Sequence, residues 1–231
     1  MNTLANWKGC PRPARVAFAG AYCRLEPLAP VSHGDQLFAA SMAPGAAERF
    51  RYLFAAPQDR AGFDAWLAQA AVSDDPLFFA VIDRASGRCE GRQTLMRMTP
   101  EHGVIEIGNI LWGPAIARTR VATEALFLTA RHVFEELGYR RFEWKCDARN
   151  APSRRAALRF GFSFEGIFRQ HMVIKGENRD TAWYAITDGD WPAARDAFVR
   201  WLKPDNFDGD GRQKMRLGGL RERAAERLDS K

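Results

Sequence analysis

From Val104 to Trp112 nearly every residue is apolar, with Glu106 and Asn109 as polar intrusions, so the pattern predicts a buried strand over 104–112. Gly108 falls mid-strand, where glycine marks a bulge or a close backbone approach. Gly113-Pro114 ends the strand. The next residues, ARTRVATEA, run into a helix. Its Ala122, Ala125, Leu126, Thr129, Val133 and Leu137 share one face at three- and four-residue spacing, and Gly138 is the expected stop. A second unit of the same kind follows. RFEWKCD (141–147) predicts a strand, and Asn150 opens a helix over 152–160 that Gly161 closes.

Around these two units the alternation is weaker but readable. Residues 1–20 read as irregular, 21–27 as a first strand, 32–42 as a helix with Ser32 as N-cap, and 58–72 as a second helix. Segments 77–83 and 88–98 form a hairpin. The last strands are 163–174 and 181–186, joined by a turn over 175–180, and a helix over 193–202 packs on the domain. The expected organisation is one domain over 21–203, its C-terminal helix within 191–202, and a basic tail over 204–231. The tail beyond Asp205 reads as less essential, with 212–231 either a short helix or a frayed end.

Composition narrows the class. The 231 residues suffice for one large core, and 46% hydrophobic with 27% charged residues is ordinary for a soluble globular protein. No apolar run approaches the roughly 18–20 residues of a membrane span, and the N-terminus lacks the apolar core of a leader, so a cytoplasmic protein is expected. Cys10, Cys23, Cys89 and Cys146 are scattered, which predicts reduced thiols and no metal site. None is placed to serve as a nucleophile. The net charge of +6 suits a polyphosphate ligand, an acidic surface or nucleic acid. The absence of any nucleic-acid motif argues against the last. A strand, an arginine-bearing turn and a helix N-terminus in succession make an anion site, because free amides and the helix dipole both favour phosphate there.

Four pieces carry a family resemblance: VIEIGNILW, ARTRVATEA, RFEWKCD and NAPSRRAALRFGF. Together they resemble the GCN5-related N-acetyltransferases (GNAT), most of all the ribosomal-protein and antibiotic N-acetyltransferase branch, over residues 22–186. The resemblance implies an α/β (α+β) fold, with a mixed, twisted sheet of about seven strands flanked by helices and two splayed central strands. It implies acetyl transfer from acetyl-CoA to a primary amine, of a small molecule or a peptide, in a ternary complex without metal. The oligomeric state, a homodimer included, is left open.

The resemblance also implies roles for residues. Arg118, Thr119, Arg120, Val121, Ala122 and Thr123 would bind the coenzyme phosphates. Ala117 and Arg120 depart from the family pattern there, and Arg120 stands where the central glycine is expected. Asn109 and Ile110 would offer backbone groups to the pantetheine arm, Asn150 would bind the same arm, and Arg155 would meet a phosphate. Glu106 is a candidate base acting through water, or a structural carboxylate paired with Arg92 or Arg97. Ser153 would protonate the leaving thiolate, since Ala157 stands where many relatives have tyrosine; it and Asn150 could equally be helix caps. His171 is a second candidate base, or a surface strand histidine. Two rivals keep other functions in view: an acyl-CoA-binding regulator of the same fold, and a nucleic-acid-associated protein using the tail.

Overall fold

The strand patterns resolve into one eight-stranded mixed sheet in the computed structural model, which describes residues 4–229. The strands are β1 (Phe18–Ala19), β2 (Cys23–Pro27), β3 (Leu77–Asp83), β4 (Cys89–Thr99), β5 (Val104–Trp112), β6 (Arg141–Asp147), β7 (Ser163–Ile174) and β8 (Glu177–Thr187). Their spatial order is β1-β2-β3-β4-β5-β6-β8-β7. The strand beyond the expected seven is β1, a two-residue pairing with Arg24 and Leu25 inside the stretch read as irregular. The α-helices among the described residues are α1 (Pro30–Met42), α2 (Ala46–Phe50), α3 (Arg60–Val72), α4 (Arg120–Arg131), α5 (Ala151–Phe160), α6 (Trp191–Trp201) and α7 (Leu217–Asp229).

Alternation along β3 explains the layering. Phe79 and Val81 enter a large core shared with α4, α5, α6 and α7, while Phe78, Ala80 and Ile82 enter a smaller one with Leu37, Phe63 and Leu67 of α1 and α3. Every adjacent pair of strands is antiparallel except β5 and β6, which are parallel and joined through α4. That pairing runs only from Val104 opposite Arg141 to Ile107 opposite Trp144. Beyond Ile107 the two strands part.

The cause of the parting lies in β5. A Cβ on Gly108 would stand 2.4 Å from Met96 Sδ, so the glycine makes room for the Met96 side chain across from it. Next, Asn109 takes φ +48°, and Asn109 and Ile110 together oppose Gln93 between the pairs Arg92–Leu111 and Thr94–Gly108. This is a bulge, and asparagine is among the side chains that tolerate the left-handed region.

Some expectations need correction. The α1 helix starts at Pro30 with Ala29 as N-cap, so Ser32 is inside it; a proline at the first helical position already sets the start. The α2 helix is a single short turn of helix that periodicity does not detect. The last turn is only Lys175-Gly176, both at positive φ as a two-residue hairpin requires, so β8 begins at Glu177. The C-terminal segment is not peripheral: Leu217, Leu220 and Ala224 of α7 are buried, and α7 packs on α6 and α5.

One buried carboxylate ties the N-terminal strands to α4. Glu124 accepts hydrogen bonds from the amides of Ala21, Tyr22 and Cys23 at 2.8, 2.6 and 2.8 Å. Gly20 lies directly against it, 2.3 Å from carboxylate carbon to an added Cβ. Glu124→Gln turns one acceptor oxygen into a donor facing these amides. We expect a loss of roughly 1.5–3 kcal/mol in denaturant unfolding, the worth of charge-assisted hydrogen bonds. A change under about 0.5 kcal/mol, the usual range for an uninvolved surface site, would show that the three amides do not depend on the charge.

Candidate active site

The parted strands open a cleft with two ends. The inner end is a cavity of about 280 Å³, floored by Gly108–Trp112 of β5 on the side where β6 no longer pairs. The outer end is a groove of about 1010 Å³ beside the start of α4. Trp112, Ala117, Pro152 and Ala156 line both, so the two are continuous.

The groove is built for a polyanion. Thr119 is the N-cap of α4, its hydroxyl accepting from the Val121 amide at 3.2 Å and donating to the Ile116 carbonyl at 2.7 Å. The first turn of a helix leaves amides without intrahelical acceptors, and here they face a groove lined by Arg118, Arg120, Arg155 and Arg159. No carboxylate lines it among the described residues. Arg118, rather than Arg120, takes the left-handed conformation, with φ +64°. Arg120 is the first helical residue, and its guanidinium sits over the rings of Tyr22 and Phe207 at 4.9 and 4.6 Å. Arg159 donates to Thr123 Oγ1 at 3.2 Å and lies over Trp201, and burial lowers its pKa. Ala122 and Thr123 also face the groove. Val121 does not; it packs against the core. Arg154, on the same helix as Arg155, turns away to Tyr184.

The cavity gathers Glu106, Asn109, Ile110, Asn150 and Ser153. Asn150 is the N-cap of α5, its Oδ1 accepting from the Ser153 amide at 3.1 Å. Ser153 Oγ accepts from Trp144 Nε1 at 3.0 Å, so its own proton is the one it has to donate, and the Cys146 sulfur is a partner for it. Cys146 is also in the wall, although no cysteine is expected as a nucleophile. Burial raises its thiol pKa, the opposite of what a nucleophile needs, and the Ser153 hydrogen bond only partly offsets this.

Glu106 is 3% exposed and already engaged. Arg97 Nη1 donates to its two oxygens at 3.0 and 2.9 Å, and Lys145 Nζ stands 3.0 Å from Oε2. Lys145 also bridges to Glu143 at 2.6 Å and lies 3.9 Å from the centroid of Trp183. Of the two arginines suggested by the sequence, Arg97 is the partner; Arg92 donates instead to the Asn109 carbonyl at 2.7 Å and holds the bulge. Lys145 was invisible to pattern reading because the contact crosses from β6 to β5.

His171 lies elsewhere. It is on β7, paired with Thr181 Oγ1 at 2.9 Å, and lines neither the cavity nor the groove. Sequence reasoning missed Arg179, which lines the cavity from β8 but sat within the supposed turn.

An arginine-rich groove at a helix N-terminus, leading along an unpaired strand edge to a small cavity, is the arrangement expected of an acyl-CoA site. The family comparison agrees: the acetyltransferase (GNAT) domain model matches residues 24–163. The chain belongs to the GNAT acetyltransferase family. A GCN5-related N-acetyltransferase from Brucella melitensis is 58% identical, with TM-score 0.94 over 95% of this chain and 100% of that one. A GNAT-family structure from Chromobacterium violaceum is 41% identical, with TM-score 0.76 over 83% of this chain and 96% of that one. The microcin C7 self-immunity acetyltransferase MccE, in complex with acetyl-CoA and AMP, is 17% identical with TM-score 0.63 over 73% of this chain and 93% of that one; it shares the fold. No curated protein matches the sequence. This acetyltransferase is thus an acyl-CoA-dependent transferase. No helix among the described residues is long and apolar enough to cross a membrane.

Proposed function

We propose that this acetyltransferase moves an acetyl group from acetyl-CoA to a primary amine by direct attack in a ternary complex. The observation that carries the reading is the groove of four arginines and, among the described residues, no carboxylate, continuous with a cavity floored by an open strand edge. The donor set suits the coenzyme. Arg118, Arg120, Arg155 and Arg159, with the first amides of α4, match its phosphates. The backbone of Asn109 and Ile110 would pair with the amide-bearing arm as an added strand would, with Asn150 alongside.

Acetyl-CoA supplies an acyl thioester. In the transfer, a C–N bond forms, the C–S bond breaks, and the thiolate takes up a proton. Ser153 is the residue we assign to steady the leaving thiolate, its hydroxyl donating a hydrogen bond while Trp144 holds its acceptor side; the proton the thiolate takes up is returned by the water that receives the amine's. The amine loses its proton to water. Glu106 is not assigned as the base, because its oxygens are already held by Arg97 and Lys145. The cations around the cavity instead lower the pKa of the entering ammonium, so the amine arrives neutral and a strong base is unnecessary. Positioning of the two substrates supplies most of the rate.

Two measurements test this. Acetyl-CoA should raise the melting temperature by mass action, and Arg155→Glu should weaken its binding by roughly tenfold or more, the loss of one charge-assisted contact with repulsion added. No shift at millimolar acetyl-CoA would remove the coenzyme from the proposal. Ser153→Ala should lower kcat by roughly 10²-fold with acetyl-CoA affinity nearly intact. Near-normal turnover with reduced stability would instead make Ser153 part of the helix start alone.

A further inference from the structure

Four cationic side chains and one carboxylate line the cavity: Arg49, Arg97, Lys145, Arg179 and Glu106. Three of the cations are spoken for. Arg97 and Lys145 hold Glu106. Arg49 donates to the carbonyls of Ser41, Ala43 and Pro44, where α1 ends. Arg179 is different. It is 6% exposed, its Nε is buried without a partner, and no atom of its guanidinium makes a hydrogen bond or ion pair with the described residues.

A buried guanidinium without an anion is costly, and burial lowers its pKa accordingly. Its surroundings relieve it only in part, since Asp147 and Glu106 act on it through space without a hydrogen bond or ion pair. The guanidinium rests on the ring of Phe54 at 5.1 Å, and that ring also meets Arg97 at 6.0 Å, so two like charges flank one aromatic face. Arg97 has a carboxylate in direct contact, and Arg179 has none. Asp147, which acts on Arg179 through space, is bound by Arg149 at 2.9 Å.

We propose that the acceptor amine carries an oxyanion of its own, and that Arg179 is the residue that binds it. This rests on the reading of the cavity as the acceptor site. The neighbouring walls, Tyr52, Leu53, Phe54 and Met96, suit a short apolar spacer between amine and anion. The small volume suits a compact molecule, of the size and charge of an amino acid or a small phosphorylated amine. A guanidinium fork takes carboxylate and phosphate alike, so the shared chemistry is an amine with an anionic end. The same field that rejects a bare ammonium admits this one, because the anion is drawn to Arg179 while the amine sheds its proton.

Matched pairs separate these requirements. Leucine against isopentylamine and β-alanine against ethylamine differ by a carboxylate, and phosphoethanolamine against ethanolamine differs by a phosphate. Binding to the full-length protein saturated with coenzyme A would be followed by calorimetry, and turnover with acetyl-CoA by thiol release. At least one anionic member should bind tenfold or more tightly than its twin, and the pair that responds identifies carboxylate or phosphate. Arg179→Gln should abolish that difference while leaving coenzyme A affinity unchanged. Arg179→Lys, which keeps the charge and loses the fork, should restore part of it. The proposal is overturned if each uncharged-end amine binds as well as its anionic twin, if no pair binds, or if Arg179→Gln leaves the difference intact. Coenzyme A binding is read separately, so its failure would strike the acetyl-CoA reading itself.

Discussion

Glu106→Gln should destabilise the protein by about 3–5 kcal/mol, the usual consequence of removing one partner from a buried ion pair. Lys145 is 7% exposed and would keep only Glu143, and Arg97 would lose its carboxylate altogether. At a pH where the amine is neutral, kcat/KM should change by less than about tenfold. A general base in this position would instead cost roughly 10²–10⁴-fold and take the acidic limb of the pH–rate profile with it. Adding Lys145→Met to Glu106→Gln should recover part of the stability, because it removes the stranded charge. Unfolding curves and pH–rate profiles on the same variants decide between the roles. A stable Glu106→Gln protein with turnover down a thousandfold would return Glu106 to the chemistry.

Ending the chain after Pro204 should be as damaging. It deletes Leu217 and Leu220, which together bury roughly 3–6 kcal/mol of side-chain transfer free energy, and uncovers Trp201 and Phe198 behind them. That is a large share of the roughly 5–15 kcal/mol that holds a domain of ordinary stability. It also removes Phe207, Gly211 and Gln213 from the groove, and with Phe207 one of the two rings under Arg120. The truncated chain is expected to be unfolded or aggregated at room temperature. Leu220→Ala in the full chain serves as control, with an expected loss of about 2–5 kcal/mol. A truncated protein that melts where the full chain does would mean that α7 contributes nothing to the fold.

What could be read from the chain follows the range of the physics. The limits of β5, β6 and β7 and the glycine stops at 138 and 161 were legible, because strand pattern and left-handed caps are local. The arginines and the helix start that line the outer groove were visible for the same reason, since Arg118, Thr119 and Arg120 are consecutive and Arg155 and Arg159 share one helix. The partners in the inner cavity were not. Glu106, Arg97, Lys145 and Arg179 come from four strands, and their pairing depends on register that no local pattern encodes. Glu124 hid within an ordinary helical face, because its three partners lie about a hundred residues away. The α7 helix hid behind Gly218-Gly219, and its two buried leucines make sense only against α6.

The floor of the inner cavity is peptide backbone, the bare edge of β5 from Gly108 to Trp112. Main chain is common to every sequence, so most exchanges of side chain along that edge leave its hydrogen-bonding groups in place. The far wall is made of side chains on other strands and on the segment after α2. On the proposed reading, tolerance to change is therefore uneven: exchanges at Ile110 and Leu111 leave the partners of the coenzyme arm in place, whereas a single replacement at the far wall alters what is accepted. New acceptor specificities could then evolve while that stretch of edge keeps its role.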